Sequence, residues 1–159
     1  MVRQTYKANR GDLFSIPIDE SRFALGQVVD LWQGTILVVV FTGDHSLLND
    51  ALPLAAGCGI DLMAITFDAL LCNGTWQILG NEISNLDRIP RPYFLIGPPE
   101  ECVVEDFHGK AVRCADGEDL KHLKYRKIMV PIRVQKAAMA LHGVGDWEKD
   151  FERLKMRQP

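Results

Sequence analysis

The sequence predicts a mainly β fold of the α+β kind: an antiparallel, twisted or barrel-like sheet finished by one or two C-terminal helices. Three observations carry that prediction. Leu13, Ser15 and Pro17 alternate with Phe14, Ile16 and Ile18, the period-2 pattern of a strand. Residues 36–41 are a short, continuous apolar run rich in β-branched side chains, as a strand buried on both faces requires. Only near the end does the period change, where Val134, Ala137, Ala138 and Leu141 share one helical face.

The first strand covers residues 13–18. Pro17 lacks an amide donor and so belongs at an edge or a strand end. Asp19-Glu20-Ser21 forms the turn and residues 23–31 the returning strand, in which Gly26 signals a bulge or the close approach of another backbone. Trp32-Gln33-Gly34 connects to residues 35–41, which completes a three-strand meander with its third strand central. Ser46 is placed to cap a helical turn through Leu47, Leu48 and Ala51, limited by Pro53. The apolar stretch 62–72 then meets Asn73-Gly74, which favours a type I′ hairpin; its second arm, 75–81, would put Trp76, Ile78 and Gly80 on one face.

Residues 88–92 read as a proline-locked linker to a short apolar piece, 93–96, stopped by Gly97-Pro98-Pro99. A hairpin over 101–107 and 110–115 turns at His108-Gly109, and Asp116-Gly117 marks another turn. Residues 127–132 are expected to add a last edge strand. Gly143 stops the first C-terminal helix. Asp146 is expected to cap a second, whose Trp147, Phe151 and Leu154 form an i, i+4, i+7 stripe.

At 159 residues the expectation is a single domain, with a β core over 6–96 and a hairpin plus helical elaboration over 100–159. A chain of this length buries roughly 70% of its unfolded surface, enough for a core without staples. Its 47% hydrophobic and 25% charged residues exclude a disordered or fibrous protein. Residues 1–7 hold no apolar signal-like segment, and the 36–41 run is far too short to cross a bilayer, so a soluble, cytoplasmic protein is expected. Cys58, Cys72, Cys102 and Cys114 never fall in a CxxC pair and read as free thiols, although Cys102 and Cys114 flank one hairpin. The net charge of −3 hides an asymmetry: 8 basic and 17 acidic residues through Leu120 (−9), then 10 basic and 4 acidic (+6). That balance bears on partners rather than on fold.

Tests for chemistry lead to no catalytic residue, cofactor or metal site. Cys102, His108, Cys114 and His122 are separated by five, five and seven residues, wider than the two to four that aim short-motif ligands at one zinc. Gly57-Cys58-Gly59 is the most suggestive cysteine context and reads as a packed turn. Gly43-Asp44-His45-Ser46 contains a base and a hydroxyl, but adjacent residues rarely converge as a pair. No phosphate-binding or nucleophile-elbow motif is present. Glu100, Glu101, Glu105 and Asp106 lie next to turns and suit an acidic, protein-binding surface better than a catalytic pair. Lys121-His122-Leu123-Lys124-Tyr125-Arg126-Lys127 interleaves basic and aromatic residues, as a nucleic-acid strip would, against the acidic body. Trp147 and Phe151 suit either a docking anchor or plain packing on the sheet.

The string Gly11-Asp12-Leu13-Phe14-Ser15-Ile16-Pro17-Ile18, with Phe23-Ala24-Leu25-Gly26-Gln27-Val28, resembles the opening of the immunity protein 26 family of bacterial polymorphic toxin systems. There a G-D-x-F-x-I-P-L strand precedes an aromatic-x-x-G-x-V strand, so Ile18 replaces the family's leucine. Trp76-Gln77-Ile78-Leu79-Gly80-Asn81 is similar to the W-x-I-x-G-N segment that follows, and Pro92-Tyr93-Phe94 to a later Pro-aromatic element. The likeness covers residues 6–96; from residue 100 onward nothing matches.

The resemblance implies a mostly β, cytoplasmic protein encoded beside a toxin gene, which binds and neutralises that toxin in a polymorphic toxin or contact-dependent growth inhibition system. It brings no catalytic residues, and the matched positions look structural. An acidic body would suit a basic nuclease toxin, and Glu100, Glu101, Glu105 and Asp106 are the candidate partner-binding residues. The alternatives are a small β-barrel that binds nucleic acid or acts as an endoribonuclease-like domain, and an interaction domain with no toxin partner.

Overall fold

The computed structural model describes residues 6–46 and 59–156. Its strands and α-helices, in chain order, are β1 (Asp12–Pro17), β2 (Phe23–Trp32), β3 (Thr35–Phe41), β4 (Ile60–Thr66), α1 (Ala69–Cys72), β5 (Gln77–Asn81), β6 (Phe94–Ile96), β7 (Val103–Glu105), β8 (Ala111–Cys114), α2 (Gly117–His122), β9 (Lys124–Tyr125) and α3 (Pro131–Leu141). The fold is mainly antiparallel β with few short helices. It separates into two compact units: residues up to Leu86 together with those from Met129 on, and Asp87–Ile128. These limits differ from a division near residue 100. The buried face of α3 belongs to the same core as β1–β4, so the C-terminal helix is part of the first unit.

The first unit is built on a five-stranded sheet in the order β4-β3-β2-β1-β5. The meander is present, but β2 rather than β3 holds the middle place, because β5 adds outside β1. The β2–β3 connection is a two-residue turn, with φ of 48° at Gln33 and 76° at Gly34; positive values at both positions are what a type I′ turn requires. β3 lies between β2 and β4 and is buried along its whole length. Pro17 ends β1 opposite Phe23, beyond the reach of β5, whose pairing stops at Ser15. It thus occupies a strand end in an interior strand, where no ladder bond to β5 is lost.

Gly26 corrects the expectation of a bulge. Its register with β1 is continuous, and it faces Phe14 directly. A Cβ there would come within 2.6 Å of the Phe14 ring, so a side chain, not a backbone, demands the glycine. The bulge lies further along β2, where the pairing with β3 steps from Val28 to Asp30. Phe14 is stacked in turn on Trp76, centroids 5.1 Å apart and planes 13° from parallel. The buried Trp76 indole donates to Gln135 Oε1 of α3 at 3.0 Å, which satisfies its one polar atom.

Asn73-Gly74 does not make a hairpin, since β4 and β5 lie at opposite edges of the sheet. Asn73 has helical angles (φ −88°, ψ −3°) and caps α1, and Gly74 follows at φ 81° in the left-handed position that ends a helix. A type I′ turn needs positive φ at both residues, and only the glycine has it. Ile78 pairs with Phe14, the ring on which Trp76 stacks, so the two lie towards the same side of the sheet but differ in burial. Trp76 is buried while its amide still bonds Leu70 in the turn, whereas Ile78 is exposed in β5. The cap expected at Ser46, with Leu47, Leu48, Ala51 and Pro53, runs into residues outside those described.

The expected edge strand over 127–132 is also corrected. Met129 donates one backbone bond to Ile65, and Pro131 then opens α3, where its missing N–H costs nothing. Val134, Ala137 and Ala138 are buried as expected, but Leu141 is exposed, and Gly143 follows at φ 83°. Asp146 caps nothing: the last segment, Lys149–Leu154, is a 3-10 helix preceded by Glu148, with no side-chain cap. Phe151 and Leu154 are buried in the core, with Trp147 edge-on to Phe151. Lys155 and Met156 then pair with Leu62 and Asp61 on the outer side of β4.

In the second unit the order is β8-β7-β6-β9, antiparallel except for β6 with β9. The hairpin around His108-Gly109 forms as expected, with Gly109 at φ 74°. Asp116-Gly117 opens a helix rather than a simple turn. Asp116 accepts from the Asp119 amide and Asp119 accepts from the Asp116 amide, a reciprocal capping box. The core here is small: Leu95, Cys102 and Val104, with Ala115 and Leu123 packed against them.

Candidate functional site

In the first unit the polar residues of the Gly-Asp and Gly-Gln-Val segments converge with the end of β5. The buried Asp12 carboxylate accepts from Tyr6 Oη at 2.5 Å, the Asn9 amide at 2.9 Å and Asn81 Nδ2 at 3.0 Å. Burial, and then the hydrogen bond to Asp12, push the Tyr6 hydroxyl well above its ordinary value. Beside them Gln27, fully buried, donates to the Glu82 carbonyl at 2.7 Å and to Asn85 Oδ1 at 3.1 Å, and Asn85 Nδ2 returns a bond at 2.7 Å. Every one of these contacts satisfies a buried polar atom, so the network is a structural lock rather than a reactive centre. Gln27 and Asn81 stand in the strings singled out in the sequence, but Asn85 escapes sequence reasoning because an isolated amide carries no spacing signal.

The candidate residues of the acidic surface all fall in the second unit, but the structure divides them. Glu100 and Glu101 lie on the exposed 3-10 turn Pro99–Glu101. Glu105 is buried and paired with Arg126 at 3.2 Å, which corrects its reading as a surface carboxylate. Asp106 closes the β7–β8 turn by accepting the Lys110 amide at 2.9 Å. Of the four, Glu105 alone is ion-paired among the described residues, and Glu100 and Glu101 are the two that stand exposed.

The basic strip is divided in the same way. Arg126 turns inward: its guanidinium lies 4.5 Å from the Phe94 ring centroid, bonds Glu105 and donates to the carbonyls of Asp106 and Phe107 at 2.9 Å. Lys121 and His122 lie beside Glu118 on α2, which offsets part of the Lys121 charge. Leu123 packs on the small core. Lys124, Tyr125 and Lys127 remain exposed, with Tyr125 Oη donating to the Gly97 carbonyl at 2.8 Å. Burial, then the neighbouring Cys102 thiol, raise the Tyr125 hydroxyl.

The cysteine and histidine constellation does not assemble. Val103 pairs with Cys114 while the Cys102 carbonyl accepts from Ala115, so the two cysteines point to opposite faces of the hairpin. Both are free thiols, and Cys58 lies outside the described residues. Among the described residues no three His, Cys, Asp or Glu side chains are placed to hold a metal. Asp44 and His45 are held apart in their roles: Asp44 bonds Arg22 at 3.0 Å, while His45 pairs through its backbone with Phe23. Trp147 and Phe151 serve packing, since Phe151 is fully buried.

Among the described residues no helix is long and apolar enough to cross a membrane. No family model matches the chain, and no curated protein or solved structure proves similar to it.

Proposed function

We propose that the chain is a non-enzymatic immunity protein, which neutralises a cognate toxin by covering its working surface. One observation supports this reading above the others. The pieces that resemble the immunity protein 26 family, scattered over seventy residues of sequence, interlock in space: Phe14 over Gly26 and against Trp76, Gln27 donating to the carbonyls of Gly11 and Glu82, and Asn81 to Asp12. Spaced motifs that meet in one packed unit are a signature of a shared scaffold. Such a scaffold leaves binding to its variable surface, here the acidic Glu100 and Glu101 and their surroundings.

The decisive experiment is protection. Cells that express the toxin encoded beside this gene should survive when the chain is co-expressed and die without it. Equal killing in both cultures contradicts the proposal. The exposed Lys124, Tyr125 and Lys127 favour nucleic acid as a second reading. Retention of RNA by the purified chain, weakening steeply with salt, would carry that one instead.

A further inference from the structure

Residues paired in register across a sheet share a face, so Ile96, Val103 and Cys114 form one row over β6, β7 and β8. The next row on that face holds Phe94 and Glu105. The chain covers this second row itself, because Arg126 lies over Phe94 and bonds Glu105. The first row is left open: Ile96 is 47% exposed, Cys114 is exposed and Val103 is half-buried. The opposite face already holds the unit's core residues Leu95 and Val104, so the open row is not part of that core.

We infer that the Ile96–Val103–Cys114 row is a docking surface for a basic protein partner; under the immunity reading, on which this rests, that partner is the toxin. The partner's charge follows from the rim. The loop joining β6 to β7 closes the end of the row and carries Glu100 and Glu101, both exposed and without an ion pair among the described residues. Three nearby cations are engaged elsewhere, Arg113 with Asp119 at 2.8 Å, Arg126 with Glu105 and Lys121 with Glu118, while Lys124 and Lys127 are exposed and make no ion pair among the described residues. Lys124 stands at the other corner, beside Phe94. An apolar strip with an uncompensated acidic end selects an apolar surface with a cationic rim.

The test uses the full chain and the product of the adjacent toxin gene. In the complex, alkylation of Cys114 by N-ethylmaleimide should slow by about tenfold or more, while Cys72, also exposed but in the first unit, reacts at an unchanged rate. The double substitution Glu100→Gln with Glu101→Gln, on an exposed turn, should weaken binding by about tenfold at low salt and less at high salt. Ile83→Asp, an exposed position of the first unit, should leave binding unchanged. A complex that forms while Cys114 stays reactive and the Glu variant binds normally overturns the docking surface and leaves the immunity reading standing. Failure of the wild-type chain to bind the toxin removes both. RNA retention that tightens in the Glu variant reassigns the row to nucleic acid and overturns the proposal.

Discussion

The two units solve the problem of stability differently. The first buries a continuous cluster from four strands, α3, Trp76, Phe151 and Leu154, and even its polar residues are locked inside. The second buries five apolar residues among those described, Ile89, Leu95, Cys102, Val104 and Phe107, and leans on charge: a bidentate Arg113–Asp119 pair and Arg126 clamped to Glu105 and two carbonyls. Yet this smaller unit carries half of the exposed large apolar side chains described, Tyr93, Ile96, Val112, Leu120, Tyr125 and Ile128 of twelve. Under the immunity proposal, the unit that buries less and shows much apolar surface serves recognition and the well-packed unit is its scaffold.

The sharpest way to break that contrast is Trp76→Ala. It removes the stacking partner of Phe14 and the anchor to Gln135, and should cost about 3–5 kcal/mol in urea unfolding. In the second unit Arg126→Met should cost about 2 kcal/mol by stranding the buried Glu105, and adding Glu105→Gln should recover part of the loss. Gly26→Ala should cost about 1–2 kcal/mol through collision with Phe14, and Phe14→Leu should then become less harmful than in the parent chain. Ile96→Ser should change the unfolding free energy by no more than about 0.5 kcal/mol while it weakens binding of the proposed partner, which separates recognition from folding.

The smallest effect concerns acid. The Ser21 amide, then the Arg22 side chain, hold the Asp19 carboxylate down at about 2. A lowered value means that the turn's contribution is complete above the ordinary carboxylate value of 3.8 and fades as pH falls from there through about 2. An NMR titration of Asp19 should show that midpoint, and Arg22→Ala should move it upward.

Strands with strong patterns were legible in the sequence: the alternation of β1, the solid apolar run of β3 and the glycine at the β7–β8 turn all form where expected. Asn73-Gly74 misleads because the same dipeptide serves a hairpin and a helix end, and only long-range pairing decides between them. Gly26 was recognisable as special, but the Phe14 ring that requires it is visible only across the sheet. Glu105 looked like a surface acid because Arg126, its partner, is twenty-one residues away. Asp116 and Asp119 did carry a readable signal, since an acidic residue three positions after an N-cap marks a capping box.

Hydrogen–deuterium exchange on the full chain, alone and with the toxin that the immunity proposal places in the adjacent gene, tests the proposed division of labour most directly. The division predicts new protection in residues 94–105 and 111–116, with β1, β2 and β3 unchanged because they are already closed. Protection confined to β5 and the Gly11–Asp12 end of β1, or none at all, would contradict it.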